Sequence, residues 1–319
     1  MKRTRFFEPV TLLFCAVSLL LSLAINCNNR FWWQIPIASA ALWWVPLSIG
    51  CSLLQVYRLL RREAPVIPAL IGILCVGSAA AGVIQPILAL SKPLPVALKE
   101  SEGNPMFRFA LVTGKRKSVS GIKNLIEPLE LDGVVLSLSG PYLDELSSFG
   151  HRRKFSLNGE NLVIASRFPF AEDEILEFGD EALPGALIKV TLSSELTMAV
   201  GLLDLLPAVD PYAFHVNRTT LRRVATQFRN MNEAGLLIAT LRTPIFSRFY
   251  GLLVNYGHLR SVWRDTEYSR DAARMWLEIP FLETQILVNP GIVGVVPEVL
   301  RDIDGDEVGT ILRVAIRKK

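Results

Sequence analysis

The sequence predicts two unlike parts: an α-helical membrane anchor, and an α/β domain built as a two-sheet β-sandwich flanked by helices. Three observations carry this. Val10–Ile25, Phe31–Tyr57 and Ala64–Ser91 contain no charged residue. Downstream of Lys92, short apolar-alternating segments alternate with segments of helical spacing. The charge balance also changes there: residues up to Lys92 carry eight Lys or Arg and two Asp or Glu, and the rest carry 26 and 28.

The anchor follows from length. A helix rising about 1.5 Å per residue needs roughly 20 apolar residues to cross about 30 Å of hydrocarbon. The second and third runs exceed that, and Pro9 and Asn26 extend the first. Lys2, Arg3 and Arg5 precede the first run, Arg58, Arg61 and Arg62 separate the second and third, and Arg30 stands alone between the first and second. The positive-inside rule then puts the N-terminus and the Arg58–Glu63 loop in the cytoplasm, so that three crossings leave the domain extracytoplasmic. Trp32 and Trp33 suit an interfacial aromatic belt. A cleaved leader is the alternative for the first run, but no small-x-small motif follows it. The expected organisation is an anchor over residues 1–91, a linker over 92–105 carrying Pro93, Pro95, Gly103 and Pro105, and a domain over 106–319.

Net charge and cysteine placement narrow the domain's function. Its slightly acidic balance gives no general electrostatic case for nucleic acid, so nucleic-acid partners are not expected. Cys15, Cys27, Cys51 and Cys75 all precede Lys92, which leaves the domain without a disulfide framework or a cysteine metal site.

Within the domain, Phe107, Phe109 and Leu111 alternate as a strand does, and Ile122, Leu125, Ile126 and Leu129 have helical spacing broken by Pro128. Gly133–Leu138 reads as a buried strand, and Pro141 opens a helix over Tyr142–Phe149. Asn161–Ala165, Ala186–Leu192 and Leu196–Leu203 are strands. Asp210-Pro211 supplies an N-cap and first turn for a helix to about Asn232. Leu236–Leu241 is a strand, Pro244–Tyr256 a helix, and Trp276–Ile279, Gln285–Val288, Ile292–Val296 and Val308–Ile316 are strands. The order fits two sheets with helices outside.

These landmarks resemble the endonuclease/exonuclease/phosphatase superfamily, in particular its membrane-anchored branch with three N-terminal helices. The resemblance spans nearly the whole domain. It rests on Phe107–Thr113, on Asp132–Leu138 followed by Pro141, and on the Ser166-Arg167-Phe168-Pro169 step. It also rests on Leu206–Pro211, on Arg242-Thr243-Pro244-Ile245-Phe246-Ser247 and on Gln285–Ile292. It implies a metal-dependent phosphoesterase fold, in which a Glu binds magnesium, an Asp positions water, and Asn and His groups stabilise the phosphoryl group. Magnesium requires hard oxygen ligands, and the charge on a transferring phosphoryl group must be offset.

At the chemical positions the sequence departs from that pattern. The family's first-strand Asn falls on Thr113 and its metal-binding Glu on Leu138. A strand His falls on Asp204, the Asp and Asn of its GDFN motif on Ala239 and Leu241, and a later Asp-His pair on Thr284 and Gln285. The closing Ser-Asp-His becomes Gly305-Asp306-Glu307. The expectation is therefore a catalytically inactive, membrane-anchored relative with no catalytic residues and no cofactor. Its expected partners are the bilayer and an envelope protein or phosphorylated ligand. The competing expectation is an active phosphodiesterase or phosphatase with magnesium on a rebuilt site, using Asp204, Asp306 and Glu307.

Other constellations read as structure. Asp302–Glu307 lacks the glycine and glutamate spacing of a calcium loop. His215 shares a helix with Arg218, Arg222 and Arg223, a solvated face. His258 follows a helix end, where a cation suits the dipole. His151-Arg152-Arg153-Lys154 reads as a solvated loop, the other use of its charge being contact with anionic lipid. Ser166 lacks a nucleophile frame, and Gly114-Lys115 lacks phosphate-loop spacing.

Overall fold

From Met106 onward, the described strands form two six-stranded mixed sheets in the computed structural model. The structure describes residues 9, 13–14, 16–21, 41–61, 70–71, 73–74, 76–77, 103–112, 124, 126–137, 146–157, 160–171, 176–177, 185–206, 210–241, 248–262, 285–301 and 307–317. In the N-terminal part the longest element is α1, Ala41–Leu60. Among the described residues, no helix is long and apolar enough to cross a membrane. Half of the first apolar run and most of the third lie outside the described residues.

The first sheet contains β1 (Met106–Val112), β2 (Gly133–Ser137), β3 (His151–Leu157) and β4 (Glu160–Ser166), together with two late strands. The second contains β5 (Leu176–Glu177), β6 (Gly185–Ser193), β7 (Leu196–Asp204), β8 (Ala234–Thr240), β9 (Arg260–Ser261) and β10 (Gln285–Val288). The late strands of the first sheet are β11 (Ile292–Arg301) and β12 (Glu307–Ile316). The spatial orders are β11-β12-β1-β2-β4-β3 and β5-β6-β7-β8-β10-β9. In each sheet one pair is parallel, β1 with β2 and β7 with β8. A parallel pair needs a crossover, and between β7 and β8 this is α2, Pro211–Asn230.

The central strands of both sheets are covered on both faces, so they are nearly continuous apolar runs. Alternate side chains fill different layers. Phe109, Leu111, Val135, Ile164 and Leu312 of the first sheet meet Ile188, Val200, Leu202, Ile238 and Ile286 of the second. The other face of the second sheet, through Leu203, Leu237 and Leu287, packs on Phe214, Leu221, Val224 and Phe228 of α2. Ala110, Val134, Leu136 and Val163 turn outward beneath Ile126, Leu146 and Phe149. Gly133 is required by this packing, because a Cβ there would overlap the ring of Phe109, its register partner.

The N-cap expected for α2 is present: the Asp210 carboxylate accepts from the Ala213 N–H at 2.8 Å, with Pro211 in the first turn. Asn217 ties the helix back to the end of β7. Its amide donates to the Leu206 carbonyl at 2.7 Å, and its oxygen accepts from the Leu206 N–H at 3.1 Å.

Several elements differ from expectation. His151–Lys154 is not a loop but the start of edge strand β3, paired with β4, with all four side chains exposed. Charge on an open edge blocks further strand addition, which is why the segment looks loop-like in sequence. The helix expected over Ile122–Leu129 is, around Pro128, a 3-10 turn, Glu127–Leu129. The later helix comprises α3, Arg248–Gly251, continuing as the π turn Leu252–Tyr256. β5 and β9, two residues each, are too short to leave a periodic signal. The strand expected over Trp276–Ile279 and most of the helix from Tyr142 lie outside the described residues.

Candidate functional site

Register brings four of the candidate positions, Asp204, Ala239, Leu241 and Gln285, to one end of the second sheet. β7 and β8 run parallel and β10 antiparallel to them, so the ends of the first two meet the start of the third. Leu203 lies beside Ala239, Ala239 beside Gln285, and Asp204 beside Thr240. The Leu205 N–H donates to the Thr240 carbonyl at 2.9 Å, which extends the ladder past Asp204.

The two faces of this end differ. Leu203, Ala239 and Leu241 share the helix-facing apolar cluster with Leu205, Phe214, Phe249 and Tyr250. Ala239 is 0% and Leu241 2% exposed. Gln285 joins them by alternation with Leu287 and is 1% exposed. Its Nε2 is buried with no hydrogen-bond partner among the described residues. Such a donor costs about 1–3 kcal/mol when left unsatisfied. Asp204, 5% exposed, is buried on the opposite face beside Thr240.

Thr113, Leu138, Thr284 and Asp306 lie outside the described residues. Glu307 opens β12 opposite Arg301, with its side chain outside them as well. Among the described residues, no group of three or more His, Cys, Asp or Glu side chains is placed to hold a metal ion. The described positions do not fit magnesium. Octahedral oxygen coordination needs several hard ligands, whereas Ala239 and Leu241 present hydrocarbon, Gln285 presents an unpaired donor, and Asp204 is a single carboxylate.

The remaining candidates hold turns or lie at the surface. Ser166, 1% exposed, accepts from the Phe168 N–H at 3.0 Å and holds the turn after β4. Asp132 accepts from the Arg108 N–H at 2.8 Å and fixes the start of β2. His215, Arg222 and Arg223 lie on the exposed side of α2. His258 is exposed and adopts φ 54° just beyond the π turn. One residue that sequence reasoning did not single out is Asn289. Its oxygen accepts from the Gly235 and Gly291 N–H groups at 2.8 and 3.0 Å, and its amide donates to the Glu233 carbonyl at 2.8 Å. The Asn-Pro-Gly signal for such a turn is present in the sequence. Its partner across the sheet, at Gly235, is not legible there.

No family model matches this chain, and no curated protein matches it. Solved structures of similar shape do exist. One is an endonuclease/exonuclease/phosphatase from Beutenbergia cavernae, at 16% identity over 66% of this chain and 72% of that one, with a TM-score of 0.49. Others are a family protein of the same description from Bacteroides thetaiotaomicron (10% identity, 68% of this chain, 100% of that one, TM-score 0.43) and one from Bacteroides vulgatus (11%, 67%, 100%, 0.45). At these values the likeness says nothing about the chemistry of this chain's residues.

Proposed function

We propose that this protein is a membrane-anchored, catalytically inactive relative of the metal-dependent phosphoesterases, which binds a partner or ligand at the envelope surface. The observation that carries the loss of catalysis is the closure of the site. The positions corresponding to the family's water-positioning Asp and its Asn are Ala239 and Leu241, packed into the same apolar cluster as Phe214 and Phe249. Hydrocarbon there spares the protein the cost of burying charge. A fold outlives the site it once carried.

Anchoring is supported by an inverted exposure pattern. Leu13, Leu20, Leu47, Leu53, Leu60, Ile73 and Leu74 are exposed, whereas Ser48, Ser52 and Gln55, on one face of α1, are buried. In water the opposite partition is stable. In a bilayer, apolar side chains face lipid and small or polar ones mediate helix contacts.

The test uses the full chain, purified in a neutral detergent and assayed with Mg²⁺ and Mn²⁺ on phosphodiesters, phosphomonoesters and DNA. No metal-dependent turnover is expected. Turnover that disappears on Asp204→Ala or Asp306→Ala would establish the competing reading, a rebuilt carboxylate site.

A further inference from the structure

We propose that a cleft at the linker end of the sandwich binds a small zwitterion carrying a phosphate and an amine, the chemistry of a phosphoethanolamine headgroup. The cleft has a volume of about 400 Å³. That is roughly a dozen water volumes at ~30 Å³ each, and within the ordinary range of small-molecule sites. It lies at the start of β7 and β8 and the end of β12, away from the closed end. Nine-residue β7 separates the two ends by roughly 25 Å at ~3.3 Å per residue.

Both signs of charge line it. Arg229 and Arg317 supply cations, and Glu195 and Glu233 supply carboxylates, above a floor formed by Phe228. The last turn of α2 adds carbonyl ends with partial negative charge. A simple anion would meet that helix end and two carboxylates, and a simple cation would meet two guanidinium groups. A molecule with an ammonium a few atoms from a phosphate satisfies both. The Arg229 guanidinium lies 4.8 Å over the Tyr256 ring, a cation–π contact that restricts the side chain at the cleft. Glu233 is bridged to Lys189 at 3.5 Å, so exposed Glu195 is the carboxylate assigned to the amine.

The position of the cleft names a source. The Ile316 N–H donates to the Pro105 carbonyl at 3.1 Å, and the Arg317 N–H to the Gly291 carbonyl at 3.0 Å. The cleft wall is therefore bonded to the residue that leads from the linker into β1. If residues 1–91 lie in a bilayer, this end is tethered to its surface and lipid headgroups reach it at high effective concentration. The lipid source rests on the anchoring proposed above; the cleft chemistry does not.

The experiment titrates the full chain in neutral detergent with soluble glycerophosphoethanolamine, inorganic phosphate and glycine. It then compares nanodiscs of phosphatidylethanolamine with nanodiscs of phosphatidylglycerol. Saturable binding of glycerophosphoethanolamine is expected, at least tenfold tighter than inorganic phosphate or glycine, with phosphatidylethanolamine preferred in the nanodiscs. Arg317→Ala and Arg229→Ala should each weaken it tenfold or more, and Glu195→Gln should abolish the preference over inorganic phosphate. All three side chains lie at the surface, so melting curves should be unchanged for Arg317→Ala and Glu195→Gln and should fall slightly for Arg229→Ala, which also loses its contact with the Tyr256 ring. Absence of saturable binding, or binding indifferent to all three substitutions, overturns the proposal. Binding of the soluble probe without a lipid preference overturns the headgroup source. Failure of the chain to enter nanodiscs overturns the anchoring and leaves the soluble titration to decide the cleft.

Discussion

Closure of the site predicts that Ala239→Asp, which restores the residue type the resemblance would place there, destabilises the fold rather than reactivating it. Ala239 is 0% exposed, with Leu203 and Gln285 as its cross-strand neighbours. An ionised carboxylate could not be buried there unpaired, so the group would be held protonated. Burying a neutral polar group costs about 1–3 kcal/mol, and overpacking a close-packed cluster costs about 1–3 more. The Gln285 Nε2, which has no partner among the described residues, offers one donor to the new carboxyl and recovers about 1 kcal/mol. The net loss is about 3 kcal/mol. At ~2–4 °C per kcal/mol for a domain of this size, the melting temperature should fall by about 6–12 °C. The assay is thermal unfolding of the full chain in detergent, with and without millimolar Mg²⁺. The same substitution in a Gln285→Leu background should cost about 1 kcal/mol more, because the compensating donor is gone. A variant that melts within 2 °C of the parent, or that Mg²⁺ stabilises where it does not stabilise the parent, would refute the closure. Either result would mean that Ala239 faces a hydrated pocket.

Gln285→Leu alone should raise the melting temperature by a few degrees, since it replaces an unsatisfied buried donor with hydrocarbon of similar size; a fall would show that the amide is paired in solution. Asn289→Ala should cost about 3 kcal/mol, because it strips acceptors from the Gly235 and Gly291 N–H groups and a donor from the Glu233 carbonyl. Chemical denaturation measures this, and a loss under 1 kcal/mol would show that water replaces the side chain. A reporter active only outside the cytoplasm, fused after Lys319, should be active, and a cytoplasm-only fluorescent fusion at the same position should be dark. The reverse pair would invert the topology read from the basic residues.

The central strands were legible because they are buried on both faces and leave apolar runs. Leu196–Leu203 and Leu236–Leu241 correspond to β7 and β8 within three residues. The start of α2 was legible for a local reason: Asp210 and Pro211 act within one turn, so no tertiary information is needed. β3 was not legible. Its edge position exposes both faces, so alternation is absent and charge dominates its composition. Whether four consecutive basic and histidine residues form a loop or an edge depends on the partner strand, and only the register of β4 decides it.

The candidate site divides along the same line between local and nonlocal information. The Asp and Asn that the resemblance would place at Ala239 and Leu241 can be read only by setting the sequence against a family pattern. That these residues are sealed, rather than lining an open pocket, depends on Phe214 and Phe249, which approach from two different helices. The orphan amide of Gln285 is likewise a property of its surroundings, since a glutamine in a four-residue strand looks soluble in isolation. The cleft at the other end is still less visible in sequence, because its charged residues lie between positions 195 and 317 and are gathered only by the ends of β7, α2 and β12. Polar groups at the two ends therefore have opposite meanings. At the closed end a polar side chain is a stability cost that mutation should relieve, whereas at the cleft the same kind of side chain keeps its solvent access and can exchange water for a ligand. The sign of a substitution's effect on melting, gained at Gln285 and unchanged at Arg317, separates the two ends without any assumption about what the ligand is.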